Sequence, residues 1–90
     1  MNNELDRETI LTMLKTDFLF HQSKYVDEKK FTVSEIKMIG SIINSFEKGI
    51  ETISLYNEKI AEYFKDFGCI VTKGNFNTDI QCHILKIKIG

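Results

Sequence analysis

The stretch FTVSEIKMIGSIINSFEKGIETISLYNEKIAEYFKDFG, residues 31–68, governs the fold, because it reads either as one long helix or as two helices divided at Gly49. Its start is doubly marked. Thr32 followed three residues later by Glu35 forms a capping box, and Phe31 and Ile36 flank it as a hydrophobic staple. Downstream, Ile36, Ile39, Ile43, Phe46, Ile50, Ile53, Asn57, Ile60, Phe64 and Phe67 recur at spacings of three and four. Ile42, Tyr56 and Tyr63 flank that seam at a period of seven, with Gly49 at the intervening position. A glycine inside a helix costs about 1 kcal/mol, the phase runs through Gly49 unchanged, and no strong N-cap stands directly after it. The spacing therefore predicts a single helix over residues 33–66, stopped by Gly68. In that frame Asn57 is a polar residue on an apolar seam, the position that fixes register in coiled coils.

Working outward, residues 4–29 read as a first helix. Asn3 is placed as its N-cap, and Glu4 and Glu8 complement the helix dipole. Leu11, Leu14, Phe18, His21 and Tyr25 form its seam, widened by Ile10, and Lys29 and Lys30 stand at its end. Past Gly68 the period becomes two. CIVTK (69–73) and DIQCHILKIKI (79–89) flank KGNFNT, a run of turn-forming Gly and Asn, so a β-hairpin is expected. Matching the apolar faces pairs Val71 with Ile80 and sets Cys69 opposite Cys82, with a bulge where the apolar phase moves from Ile84 to Leu85. The expected fold class is α+β: a long antiparallel α-hairpin followed by a C-terminal β-hairpin, in one domain over residues 1–90.

That shape implies a partner. A second helix on the order of 50 Å long outruns what the first helix and the hairpin cover, leaving Ile42, Tyr56 and Tyr63 partly bare. The strand end Leu85, Ile87 and Ile89 has no strand left to pair with. An unpaired apolar strand invites association, so a homodimer with these six residues at its interface is the expectation, joined across a two-fold axis.

Composition narrows the function classes. The net charge is −1 with 28% charged residues, so no global field draws nucleic acid or an acidic substrate. No apolar run approaches a membrane span, and the N-terminal MNNELDRET lacks a signal pattern. Two cysteines without a CxxC point to a reducing cytoplasm and to buried thiols rather than a disulfide or metal pair. His21 reads as an interior or interface histidine, and His83 points away from Cys82. No phosphate loop, nucleophile elbow or HExxH occurs. Neither catalytic residues nor a cofactor or metal is expected, and the reading is non-enzymatic.

What remains is surface. Asn75, Phe76 and Asn77 place an aromatic residue between two amides at the expected turn, a candidate anchor for another protein. Lys24, Lys29, Lys30 and Lys37 cluster round the helix–helix turn, interrupted by Asp27, Glu28 and Glu35. With one Arg in the chain they make nucleic-acid binding the alternative. Thirteen Ile, eleven Lys and no Pro fit an AT-rich bacterium or its phages. The expected function is a small protein-interaction, regulatory or inhibitor protein of that kind, acting on a host protein.

Overall fold

Gly49 ends a helix. The computed structural model describes residues 6–89. Their order is α1 (Arg7–Asp27), α2 (Val33–Glu47), β1 (Thr52–Leu55), α3 (Glu58–Asp66), β2 (Ile70–Asn77) and β3 (Cys82–Lys88). The fold is α+β as expected, with three helices and a three-stranded antiparallel sheet in the order β1-β3-β2. The single helix over residues 33–66 is replaced by α2, β1 and α3, and the β-hairpin gains a third strand. The longest dimension is 41 Å, shorter than the roughly 50 Å that the continuous helix would require.

The break has a defined backbone cause. Gly49 adopts φ 106°; its N–H donates to the Phe46 carbonyl, and the Ile50 N–H donates to the Ser45 carbonyl, both at 3.1 Å. These two bonds are the Schellman closure, which requires a left-handed residue just past the helix. Gly68 closes α3 in the same way at φ 105°, with Gly68 N–H on Lys65 and Cys69 N–H on Phe64. The end of α1 repeats it with a lysine. Lys29 sits at φ 59°, its N–H bonded to the Val26 carbonyl and the Lys30 N–H to that of Tyr25. At the other helix ends, Thr32 and Glu35 form the expected capping box, while α1 starts on Asp6, whose carboxylate accepts the Thr9 N–H at 2.7 Å. Asn3 and Glu4 lie outside the described residues.

The hairpin register also differs from the face-matching expectation. Val71 pairs with Ile87, not Ile80, and Asn77 with Cys82, so Cys69 and Cys82 are not opposite each other. The turn falls at residues 78–81 and the bulge lies in β2, between Lys73 and Phe76. Gly74 sits in that irregularity, where an added Cβ would lie 2.6 Å from the Ile84 Cγ2. The longer hairpin carries β2 alongside Leu85 and Ile87, and β1 covers the other side of the same strand. Ile87 thus pairs with both Val71 and Ile53. The terminal strand that looked unpaired is the centre of the sheet.

Alternation along β3 then divides inside from outside. Leu85, Ile87 and Ile89 are buried against the helices, while Lys86 and Lys88 are exposed on the open face. Ile10 and Leu14 of α1, Ile39 and Phe46 of α2, and Ile60 and Phe64 of α3 meet them in one core. Gly40 allows α1 and α2 to approach closely, since a Cβ there would lie 3.1 Å from the Phe18 ring. Ile42 and Tyr63 are each 5% exposed. With Leu85, Ile87 and Ile89 they are core residues of this chain, and the reason for placing them at an oligomer interface is gone. Tyr56 alone of the six is exposed.

Two of the left-handed positions, Gly49 and Lys29, give substitutions of opposite sign. Gly49→Ala has room for its methyl but forces an L-residue into the left-handed region, so it should lower unfolding stability by about 1 kcal/mol. In a continuous helix it would raise stability by a similar amount. Lys29→Gly relieves the corresponding strain and should raise stability by on the order of 1 kcal/mol. Urea denaturation of the two variants measures both.

Candidate interaction site

β1 is an edge strand, and its hydrogen-bond phase can be read from one contact. The Ile89 N–H donates to the Glu51 carbonyl at 3.1 Å. In an antiparallel ladder hydrogen-bonded pairs alternate, so Ile53 with Ile87 and Leu55 with Leu85 are the next bonded pairs in this register. The backbone N–H and C=O groups of Thr52 and Ser54 therefore point away from β3. Both residues are exposed, and no hydrogen bond among the described residues reaches those groups. The other edge, β2, is bent by its bulge, a common protection against strand pairing. β1 has a regular register throughout.

An apolar groove of about 440 Å³ runs beside this edge, lined by Met38, Ile42, Ile53, Ser54, Leu55, Tyr56 and Asn57. Local sequence explains the lining. Met38 and Ile42 are successive-turn neighbours on α2, and Ile53 and Leu55 share a face of β1 because strand side chains alternate. Met38 and Tyr56 are 44% and 42% exposed, large apolar surfaces left uncovered at one place. The Tyr56 hydroxyl accepts from Asn77 Nδ2 at 3.4 Å.

One carboxylate fixes the end of the groove. Glu35 Oε1 accepts the Thr32 N–H at 2.9 Å and Lys59 Nζ at 3.0 Å, and Oε2 accepts Asn57 Nδ2 at 2.7 Å. Asn57 Oδ1 in turn accepts the Ile60 N–H as the N-cap of α3. The N-termini of α2 and α3 are thus tied through a single side chain, and the tie sets where Tyr56 and β1 stand relative to α2. Its donors, the Thr32 amide foremost and then Asn57 and Lys59, hold the Glu35 carboxyl down at about 2. Asn57 is therefore a cap and a bridge, where the seam reading had made it a register-fixing residue.

The other predicted residues are dispersed. Phe76 is exposed and lies edge-on to His83, with ring centroids 5.0 Å apart. Asn75 is exposed, and Asn77 accepts the Asp79 N–H at 2.9 Å. All three belong to β2, ahead of the turn rather than at its tip. Lys24, Lys29, Lys30 and Lys37 are exposed round the α1–α2 turn. Lys30 Nζ lies over the Tyr25 ring, 4.9 Å from its centroid.

One polar cluster, centred on Asp17, looks chemical at first sight. Asp17 Oδ2 accepts both the Tyr25 hydroxyl at 2.7 Å and the Tyr63 hydroxyl at 2.6 Å. Burial first, and then the bond to Asp17, push the Tyr25 phenol up to about 12 and raise Tyr63 further. The Tyr63 bond ties α3 to α1, the Tyr25 bond lies within α1, and phenols held so firmly protonated are poor proton donors. His21, expected in the interior or at an interface, is exposed in this chain and lies 3.0 Å from Asp17 Oδ1. His83 Nδ1 lies 3.0 Å from the Gly74 carbonyl. Both cysteines are free; Cys69 is buried, and burial pushes its thiol up to about 11. Among the described residues no cluster of three His, Cys, Asp or Glu could hold a metal, and no helix is long and apolar enough to cross a membrane. The chain matches no protein-family model, no curated protein and no solved structure.

The Glu35 tie should appear in the pH dependence of stability. Its folded pKa is depressed, so its contribution is complete above the ordinary glutamate pKa of about 4.3 and is lost as pH falls towards about 2. The stability difference between the natural protein and Glu35→Gln, followed by denaturant titration, should shrink over that interval. Asn57→Leu should destabilise by about 1 kcal/mol or more through the lost cap; a coiled-coil seam residue would have given the opposite sign.

Proposed function

We propose that the protein is a non-enzymatic interaction module that takes up an extended segment of another protein as a fourth strand along β1. The carrying observation is the pair of outward backbone positions, Thr52 and Ser54, set beside a groove already lined with apolar side chains. Backbone groups on an open edge supply general affinity in strand addition, and side-chain pockets supply selectivity. The groove suits side chains of alternate residues, because successive side chains of an added strand fall on opposite faces. Phe76 and Ile80, each 48% exposed, offer further apolar surface near the hairpin turn.

Ser54→Pro tests this reading with little change to the fold, because the N–H it removes points away from β3 and proline is tolerated at such edge positions. Tagged natural protein should retain a defined protein from a cell extract, unaffected by nuclease, and Ser54→Pro should lose it. Equal retention by the two would overturn strand addition at β1. Retention abolished by nuclease would favour nucleic-acid binding through Lys24, Lys29, Lys30 and Lys37.

A further inference from the structure

The open face of the sheet carries charge that the fold does not account for. Lys86 and Lys88 stand on it, exposed. Alternating lysines are a usual protection for edge strands, but β3 is the central strand. Their cross-strand neighbours are neutral on both sides: Thr52 and Ile70 flank Lys88, and Ser54 and Thr72 flank Lys86. Neither lysine forms an ion pair among the described residues. A solvated sheet face needs polar groups, yet it does not need two cations in succession with no anion paired to them among the described residues.

We infer that the segment taken up on β1 alternates acidic and apolar side chains, in the pattern acidic–apolar–acidic. The inference rests on the strand-addition reading and specifies its partner. Residues paired with Thr52 and Ser54 would extend the ladder through the outward backbone groups. Their side chains would lie on the lysine face, two strands from Lys88 and Lys86, or about 10 Å at the usual strand spacing. Lysine and glutamate side chains reaching towards each other span that gap. The residue between them, opposite Ile53, would turn to the other face and enter the groove of Met38, Ile42 and Tyr56. Faces alternate whichever direction the added strand runs, so the pattern holds for parallel and antiparallel pairing. A polypeptide is favoured over nucleic acid because the edge offers peptide carbonyls beside its N–H groups and an apolar groove, and neither an acceptor nor an apolar wall suits a phosphate backbone.

The probe is a seven-residue peptide of alternating Glu and Leu, acetylated and amidated at its ends, titrated against ¹⁵N-labelled protein. A Lys–Leu counterpart, an N-methylated Glu–Leu version and a single-stranded oligonucleotide serve as comparisons. Shift changes should centre on Thr52, Ser54 and Met38. The Glu–Leu peptide should bind about tenfold more tightly than the Lys–Leu peptide, as expected for two exposed ion pairs. The Lys86→Glu/Lys88→Glu double variant should reverse that preference, and high salt should erase it. N-methylation should abolish binding with the protein itself unchanged. Equal binding of both peptides at the edge, lost on N-methylation, would overturn the acidic pattern and leave strand addition standing. Undiminished binding of the N-methylated peptide, shifts elsewhere, or no binding by either peptide would overturn strand addition and this inference with it. Tighter edge binding by the oligonucleotide would overturn both. A concentration-dependent dimer with Thr52 and Ser54 buried between copies would also do so, because a second copy would then be the occupant.

Discussion

A single left-handed residue turns the chain out of α2 and sends Thr52–Leu55 along β3. The turn at Gly49 is what the remaining architecture depends on. Without it the sheet would be a two-stranded hairpin, and such hairpins are marginal alone in water. With it, β3 is held from both sides, and Ile87 becomes fully buried at the centre of the sheet. The same turn creates the exposed edge, since a chain that adds a strand to one side of a sheet leaves that strand's outer backbone groups to water. The third strand and the open edge therefore share one origin.

Glu35 couples the pieces that the turn separates. It closes the start of α2, receives Asn57 from the start of α3, and pairs with Lys59. These contacts lie at the Asn57 end of the apolar groove. Helix starts concentrate unpaired N–H groups; Glu35 accepts the Thr32 N–H at the start of α2 directly and reaches α3 through Asn57, whose Oδ1 accepts the Ile60 N–H. The Asp17 contact to Tyr63 does a comparable job between α1 and α3. Both carboxylates join elements of the fold.

Local signals carried much of the fold and little of the site. The Thr32–Glu35 capping box, the seam of α1 and the stop at Gly68 rest on near neighbours in the chain, and the α+β class follows from them. Residues 50–55 were harder. Ile50 and Ile53 keep the helical phase, while Ile53 and Leu55 alternate with Thr52 and Ser54 as a strand does; long-range pairing with β3 decides between the two periods. The signals present were a glycine, a run rich in β-branched residues and the cap-forming Asn57. The hairpin register failed for a related reason. Face matching favoured the short pairing, whereas the real one depends on Gly74 making room for Ile84 and on β1 occupying the far side of β3. Identifying an edge requires the strand order, so Thr52, Ser54 and Met38 could not be picked out in advance. Tyr56 was singled out as exposed, though for a two-fold contact rather than a groove.

The most direct test of this account is amide hydrogen exchange resolved residue by residue from Phe46 to Glu58. Alternation is expected, with Ile53 and Leu55 exchanging slowly through their bonds to β3 and Thr52 and Ser54 exchanging at rates near those of a free peptide. Continuous helical protection through Gly49, or Thr52 and Ser54 protected as strongly as Ile53, would contradict it.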